Sequence, residues 1–291
     1  MPFGLTLTGV IFALAVAALY TPAPDMMARA VTLWAVYALA YALALWRPTW
    51  TQTSLRYAGP VLVAAILGTV ATARMRGEVG RPYLGSYDPN VLATMLVLLL
   101  PWGRGATWYM LGATALVLTG SRGALLSLGA AFVGLIAYSL YREGKLTRGH
   151  LVGGALALAL VGLGLALWRP HSVAIRLAIW ATAARDFWTA PAFGLGLGAF
   201  RWHEHWHAHN LLLHVAAEQG LVGLVAWAVF LVEVGRAILN KPGTPARLAL
   251  AAFLLHHLVD VQVWMLGPGL LAAINLGLLG VHHRDTEDTE R

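Results

Sequence analysis

The sequence predicts an all-α polytopic membrane protein: a transmembrane helical bundle of about ten spans in one integral domain, residues 1–291, with one longer extracytoplasmic loop between the seventh and eighth spans. Three observations carry this. Of the 291 residues, 59% are hydrophobic and only 11% are charged, against about 25% charged in an ordinary soluble domain. The apolar residues fall in runs of roughly 14 to 22, close to the ~20 residues a helix needs to cross about 30 Å of hydrocarbon. These runs recur along the whole chain, with a mean hydropathy of +0.68, which excludes a single water-soluble globule. The absence of Cys removes disulfides, thiolate chemistry and Cys-based zinc sites.

The first run, 3–20, follows an uncharged Met1-Pro2-Phe3 and leads into no cleavage site or soluble domain, so it is expected to stay as a span. The runs 27–46 and 57–73 follow. The next two, 89–102 and 105–119, reach only about 21 Å each at 1.5 Å per residue and read as two short crossings or as one tilted or re-entrant pair. Runs at 123–141, 150–167, 210–232, 246–264 and 267–282 complete the set. The one long polar interruption, 168–209, holds an amphipathic stretch from Val173 to Trp188 that places Trp180 and Trp188 in an interfacial belt. Loops of that length usually carry function. The acidic tail 283–291 reads as a solvated cytoplasmic end.

Sidedness follows from basic residues in short loops. With the N-terminus inside, the cytoplasmic segments hold Arg47, Arg56, Arg104, Arg142, Lys145, Arg148, Arg236, Lys241, Arg247, Arg284 and Arg291, and both Lys of the chain are among them. The outer set, Arg29, Arg74, Arg76, Arg81, Arg122, Arg169, Arg176, Arg185 and Arg201, is entirely Arg. A planar, permanently charged group with paired donors suits phosphate. Snorkelling at span ends would also place Arg there, and GC-rich coding or a thermophilic source would produce the same skew.

Several constellations can carry chemistry. Arg122 stands in Ser121-Arg122-Gly123-Ala124 beside a Gly break at the membrane face, and Arg176 lies four residues before Trp180 on the polar side of the loop helix. If Asn210 begins the eighth span, then Asn210, His214 and Glu218 rise one turn at a time as a polar stripe on an apolar helix. Ionisable groups at that depth are costly and mark a site, a pathway or an interhelical contact. His209, at the outer water boundary, is a side chain able to accept a proton near neutrality. His203, His205, His207 and His209 alternate, so a strand would align them on one side; no clear carboxylate completes a metal site there, and none is expected. Finally, Asp260 stands three and four residues after His257 and His256, a spacing at which a carboxylate can orient an imidazole on a helix.

Taken in order, these segments resemble the O-antigen ligase and O-antigen polymerase superfamily of bacterial envelope glycosyltransferases. The resembling pieces are Asp88-Pro89-Asn90 with Pro101, Ser121-Arg122-Gly123-Ala124, Arg176 with Trp180, Pro191-Ala192-Phe193-Gly194-Leu195-Gly196, His209-Asn210, Glu218-Gln219-Gly220-Leu221-Val222-Gly223, and His257-Leu258-Val259-Asp260. They cover about residues 85 to 280. The resemblance implies transfer of a glycan from an undecaprenyl diphosphate-linked donor to a lipid, glycan or protein hydroxyl acceptor, at the outer face of the inner membrane, without metal or other cofactor. Carried over, Arg122 and Arg176 would hold the donor diphosphate and His209 would activate the acceptor hydroxyl. Arg201, Asn210, His214, Glu218, His257 and Asp260 join the expected substrate-binding set. Membrane lipids are the other expected partner, and nucleic acid is not one. A repeat-unit polymerase is the nearest alternative. A proton-coupled transporter or flippase using His214, Glu218 and Asp260 as a relay is the rival from another class.

Overall fold

The computed structural model describes residues 4–19, 21, 24–77, 82–84, 87–167, 170–201, 203, 207–241, 243–261, 263 and 265–287. Among them there are helices and turns but no strand, only a Leu84–Tyr87 bridge. The helices are α1 (Gly4–Leu19), α2 (Pro24–Trp46), α3 (Pro48–Met75), α4 (Pro89–Leu99) with a 3-10 turn Leu100–Trp102, α5 (Ala106–Thr119), α6 (Arg122–Arg142), α7 (Arg148–Leu167), α8 (Pro170–Thr189), α9 (Leu211–Asn240), α10 (Pro245–His256) and α11 (Leu266–Glu287). Stretches within α2, α3, α6 and α9 are long and apolar enough to cross a membrane, whereas α4, α5, α10 and the apolar parts of α1 and α11 are shorter. The chain is a membrane-embedded helical protein.

Several expected boundaries move, two of them with a clear local cause. The third helix begins at Pro48 rather than 57. Its polar opening is held by hydroxyls that donate to carbonyls one turn back, Thr51 to Arg47 at 2.8 Å, Thr53 to Thr49 at 2.9 Å and Ser54 to Trp50 at 3.0 Å. The ninth expected span does not run to 264. Helix α10 ends at His256, and the chain turns through 257–259.

The chain divides into two compact units. One comprises Met1–Ala35, Tyr138–Asn240 and His257–Trp264; the other comprises Val36–Ala137, Lys241–His256 and Met265–Arg291. In the second unit α4 is the centre. Asp88 caps it, its carboxylate accepting from the N–H groups of Asn90 at 2.7 Å and Val91 at 3.0 Å, with Pro89 in the first helical position. Val91, Leu92, Ala93, Leu96, Val97, Leu98 and Leu99 are all buried, as expected of a helix that is apolar on every side. Two buried polar pairs tie this unit together: Thr94 Oγ1 lies 3.0 Å from His256 Nδ1, and Trp102 Nε1 donates to Asn275 Oδ1 at 2.9 Å. Tyr37 closes the same unit by donating to the Met265 carbonyl at 3.1 Å.

In the first unit α1 and α8 each pack on α9. Apolar helices gain little from leaving lipid for one another, so close approach through small side chains matters, and α1 buries Val10, Ala13, Leu14 and Ala17. Helix α8 turns Ile179 and Ala183 inward against Phe200, Ala208 and Ala217. This spacing realises the amphipathic stretch read from Val173 to Trp188.

Candidate functional site

The site is built around a break in α9. At Gly220 (φ 61°, ψ −154°) the helix is interrupted, so the carbonyls of Ala217 and Glu218 lose the partners they would have had at Leu221 and Val222. The segment 191–196 restores all four groups. Leu195 and Gly196 donate to the carbonyls of Ala217 and Glu218 at 2.9 and 3.1 Å, while Leu221 and Val222 donate to those of Pro191 and Ala192 at 2.8 and 3.2 Å. Backbone at membrane depth must find such partners. The approach is so close that a Cβ on Gly194 would strike the Glu218–Gln219 backbone, and one on Gly220 would lie 2.6 Å from backbone atoms of Ala192, Phe193 and Gly194. Both glycines also have positive φ, so each is required twice over.

Beyond the interlock the strap continues to α1. Leu197 N–H donates to the Ala17 carbonyl at 3.2 Å, and Thr21 Oγ1 donates to the Leu197 carbonyl. Glu218, 2% exposed, then holds the far end of the strap: its Oε1 accepts from Phe200 N–H at 3.3 Å, and Gly198 N–H is also directed at its carboxylate. Its Oε2 lies 3.5 Å from His214 Nε2, and the Phe200 ring meets the His214 ring edge-on at 5.9 Å. The polar stripe expected on this helix is therefore present in the part before the break, with Asn210 as its cap. Asn210 Oδ1 accepts from Leu213 N–H at 3.0 Å.

His209 precedes that cap in a left-handed conformation (φ 50°), which a non-glycine residue adopts only when its surroundings compel it. The compelling element is the turn after α10. His209 Nδ1 lies 2.8 Å from Asp260 Oδ1, Asn210 Nδ2 donates to the Leu258 carbonyl at 3.0 Å, and Leu211 N–H donates to the His257 carbonyl at 2.9 Å. Three consecutive residues are thus bonded to one short turn. Asp260 Oδ1 also accepts from Val261 N–H at 2.9 Å. An ionised carboxylate only accepts, so His209 donates through Nδ1–H and its Nε2 becomes the basic nitrogen. Helix α10 ends at His256, so helical spacing does not relate Asp260 to His256 and His257; His256 Nδ1 meets Thr94 Oγ1.

Exposure separates the remaining expected residues. His214, Glu218, His257 and Asp260 are buried, whereas Arg201 is exposed and Arg176 and Arg122 are half-buried. Arg201 Nη1 donates to the Phe200 carbonyl at 2.9 Å. On α8, partial burial pushes the Asp186 carboxyl above its usual range, opposed by neighbouring Arg185. Arg122 opens α6 in the second unit, directly after Ser121 and the left-handed Gly120 that ends α5. A cation there gains nothing from the helix dipole, so helix stability does not explain it. Of the alternating histidines, His205 lies outside the described residues. The His207 and His209 rings meet at 5.2 Å, and among the described residues no group of three or more His and acidic side chains is arranged to hold a metal.

The strap was present in the sequence only as two glycine-containing segments about 25 residues apart. Their mutual fit, and the contribution of Thr21, had no signal in hydropathy or spacing. No curated protein matches the chain. The O-antigen ligase family model matches residues 106–228, which include Arg122, Arg176, the strap, His209 and the α9 break, so this part of the chain is similar to that family.

Proposed function

We propose that this protein transfers a glycan from an undecaprenyl diphosphate-linked donor to a hydroxyl acceptor, with His209 as the general base. The observation that carries the reading is the 2.8 Å contact between His209 Nδ1 and Asp260 Oδ1. It fixes the ring and its tautomer, leaves Nε2 to take a proton, and stabilises the positive charge that the ring then acquires. The acceptor oxygen attacks the anomeric carbon, its proton passes to Nε2, and the bond from that carbon to the diphosphate oxygen breaks, releasing the polyprenyl diphosphate. Negative charge grows on the leaving group, and guanidinium groups offer it paired donors without reorganisation. Arg176 and Arg201 are the groups of the first unit suited to this, and the family resemblance adds Arg122. With that charge supplied by Arg, the reaction is proposed to need no metal. A lipid, protein or growing glycan acceptor would distinguish ligase from polymerase.

The proposed setting is the bacterial inner membrane, with the chain as one integral domain, both termini and the 283–291 tail cytoplasmic, and the 168–209 segment outside. A cysteine at position 145 in this Cys-free chain should resist impermeant labelling in intact cells; labelling there would reverse the orientation. The activity test incubates purified protein with undecaprenyl diphosphate-linked oligosaccharide and an acceptor and follows carrier release. Wild type should release carrier, and a chelator should leave the rate unchanged. His209→Ala should not release it above background, whereas full release by a well-folded His209→Ala protein would remove the base from the mechanism.

A further inference from the structure

We propose that Glu218 is a positioning residue for Arg201, acting through the backbone of Phe200, an inference that rests on the reading of Arg201 as a donor-binding group. At 2% exposure Glu218 is too deeply buried to touch a large lipid-linked glycan. What it does reach is the strap. Its carboxylate accepts the N–H of Phe200, and the carbonyl of that same residue accepts Nη1 of Arg201. One residue's two backbone groups link the buried carboxylate to the exposed guanidinium, and the two side chains also interact electrostatically.

The rest of the strap shows why this link matters. Residues 195–197 are fixed by hydrogen bonds to α9 and α1, but Phe200 and Arg201 lie past the last of those bonds. From there outward, Glu218 supplies the hold. The Phe200 ring is fully buried in the cluster with Ile179, Ala183, Ala208 and Ala217, and it also meets His214, which itself lies against Glu218. A buried carboxylate is strongly unfavourable unless it accepts hydrogen bonds, and charge-assisted bonds are the stronger kind. Replacing one carboxyl oxygen of Glu218 by an amide nitrogen, which cannot accept, therefore weakens the hold at the point from which Arg201 departs. His209 is held by a different element, the turn at 257–261, so the base should keep its geometry when Glu218 changes.

The test is a double-mutant cycle in the full-length protein. Glu218→Gln keeps the size and one carbonyl acceptor but removes the charge. With undecaprenyl diphosphate-linked oligosaccharide as probe, it should raise the donor KM about 10-fold, as expected for loss of a bond to a charged group, with kcat within about 2-fold of wild type. In an Arg201→Ala background the same change should add less than about 2-fold, because coupled residues do not add. Two readouts independent of turnover accompany this: faster amide exchange over 196–200, and faster labelling of a cysteine placed at 201 when Glu218 is replaced. Glu218→Asp, which keeps the charge but shortens its reach, takes the place of Glu218→Gln if the latter does not purify folded. The inference is overturned if the KM effect persists in full without Arg201, if kcat alone falls, or if exchange and labelling stay at wild-type rates. Failure of the wild type to turn over the donor counts against the transferase reading instead, and the exchange and labelling measurements still decide whether Glu218 holds Arg201.

Discussion

The two units solve the same problem, backbone and polar groups in an apolar setting, in opposite ways. In the second, helices such as α4 satisfy their own backbone, and two pairs of buried polar side chains, Thr94 with His256 and Trp102 with Asn275, close on each other. In the first, α9 is broken and its orphaned groups are met by a strap from elsewhere in the chain, while His209 sits in a strained conformation held by a turn. Regular helix tolerates side-chain change because its backbone is self-sufficient. An interlock of two backbones has no such reserve, and Glu218, which holds the end of the strap, sits at it.

The sharpest way to break this contrast is at the base. His209→Ala should lower transfer by about 10²- to 10⁴-fold while donor binding persists, measured as carrier release alongside donor affinity. His207→Ala should cost far less, and equal losses would refute the distinction. Next come the interlocking glycines. Gly194→Ala or Gly220→Ala should destabilise by about 3 kcal/mol or more, through combined clash and positive φ, with a lower melting temperature or no folded protein. A folded, wild-type-stable Gly220→Ala would show that the strap can withdraw.

Smaller effects sharpen the comparison. Arg176→Lys should raise the donor KM about 10-fold, since a point charge replaces a planar fork, with no change in melting temperature. In the second unit Asp88→Ala should cost about 1 kcal/mol of stability through loss of the α4 cap, leaving the donor KM at its wild-type value. Smallest of all, Gly134→Ala on α6, where a Cβ would meet nothing within 4 Å, should be neutral or stabilising by at most about 1 kcal/mol. A large loss there would mean that the regular helices are as intolerant as the break.

What the sequence disclosed follows from the same contrast. Helix α4 was legible as an apolar run beginning at 89, although its Asp88 cap was not read, and α8 because its apolar residues repeat at helical spacing. The break in α9 was not legible, since Leu221 and Val222 continue the apolar run across Gly220 and hydropathy records side chains rather than backbone torsions. The partner of His209 was missed for a related reason. Spacing rules connect Asp260 to His256 and His257 only if the helix continues, yet the His257 and Leu258 carbonyls are engaged by the start of α9. Helix α9 itself runs to Asn240, eight residues past the expected 232, because Glu233 and Arg236 are good helix formers that interrupt hydropathy without interrupting the helix.

The separation of His209 from Asp260 by 51 positions sets an order of assembly during synthesis. Every partner of the strap and of the α9 break has left the ribosome by Val222, so that interlock can close early, with α1 already waiting. The carboxylate that orients the imidazole arrives roughly 40 residues later, about 2 to 8 s at 5–20 residues per second. Until then the nascent chain carries a finished scaffold around an unaligned base. Any chain that stops within that interval can hold the strap in place yet has no Asp260 to aim its histidine.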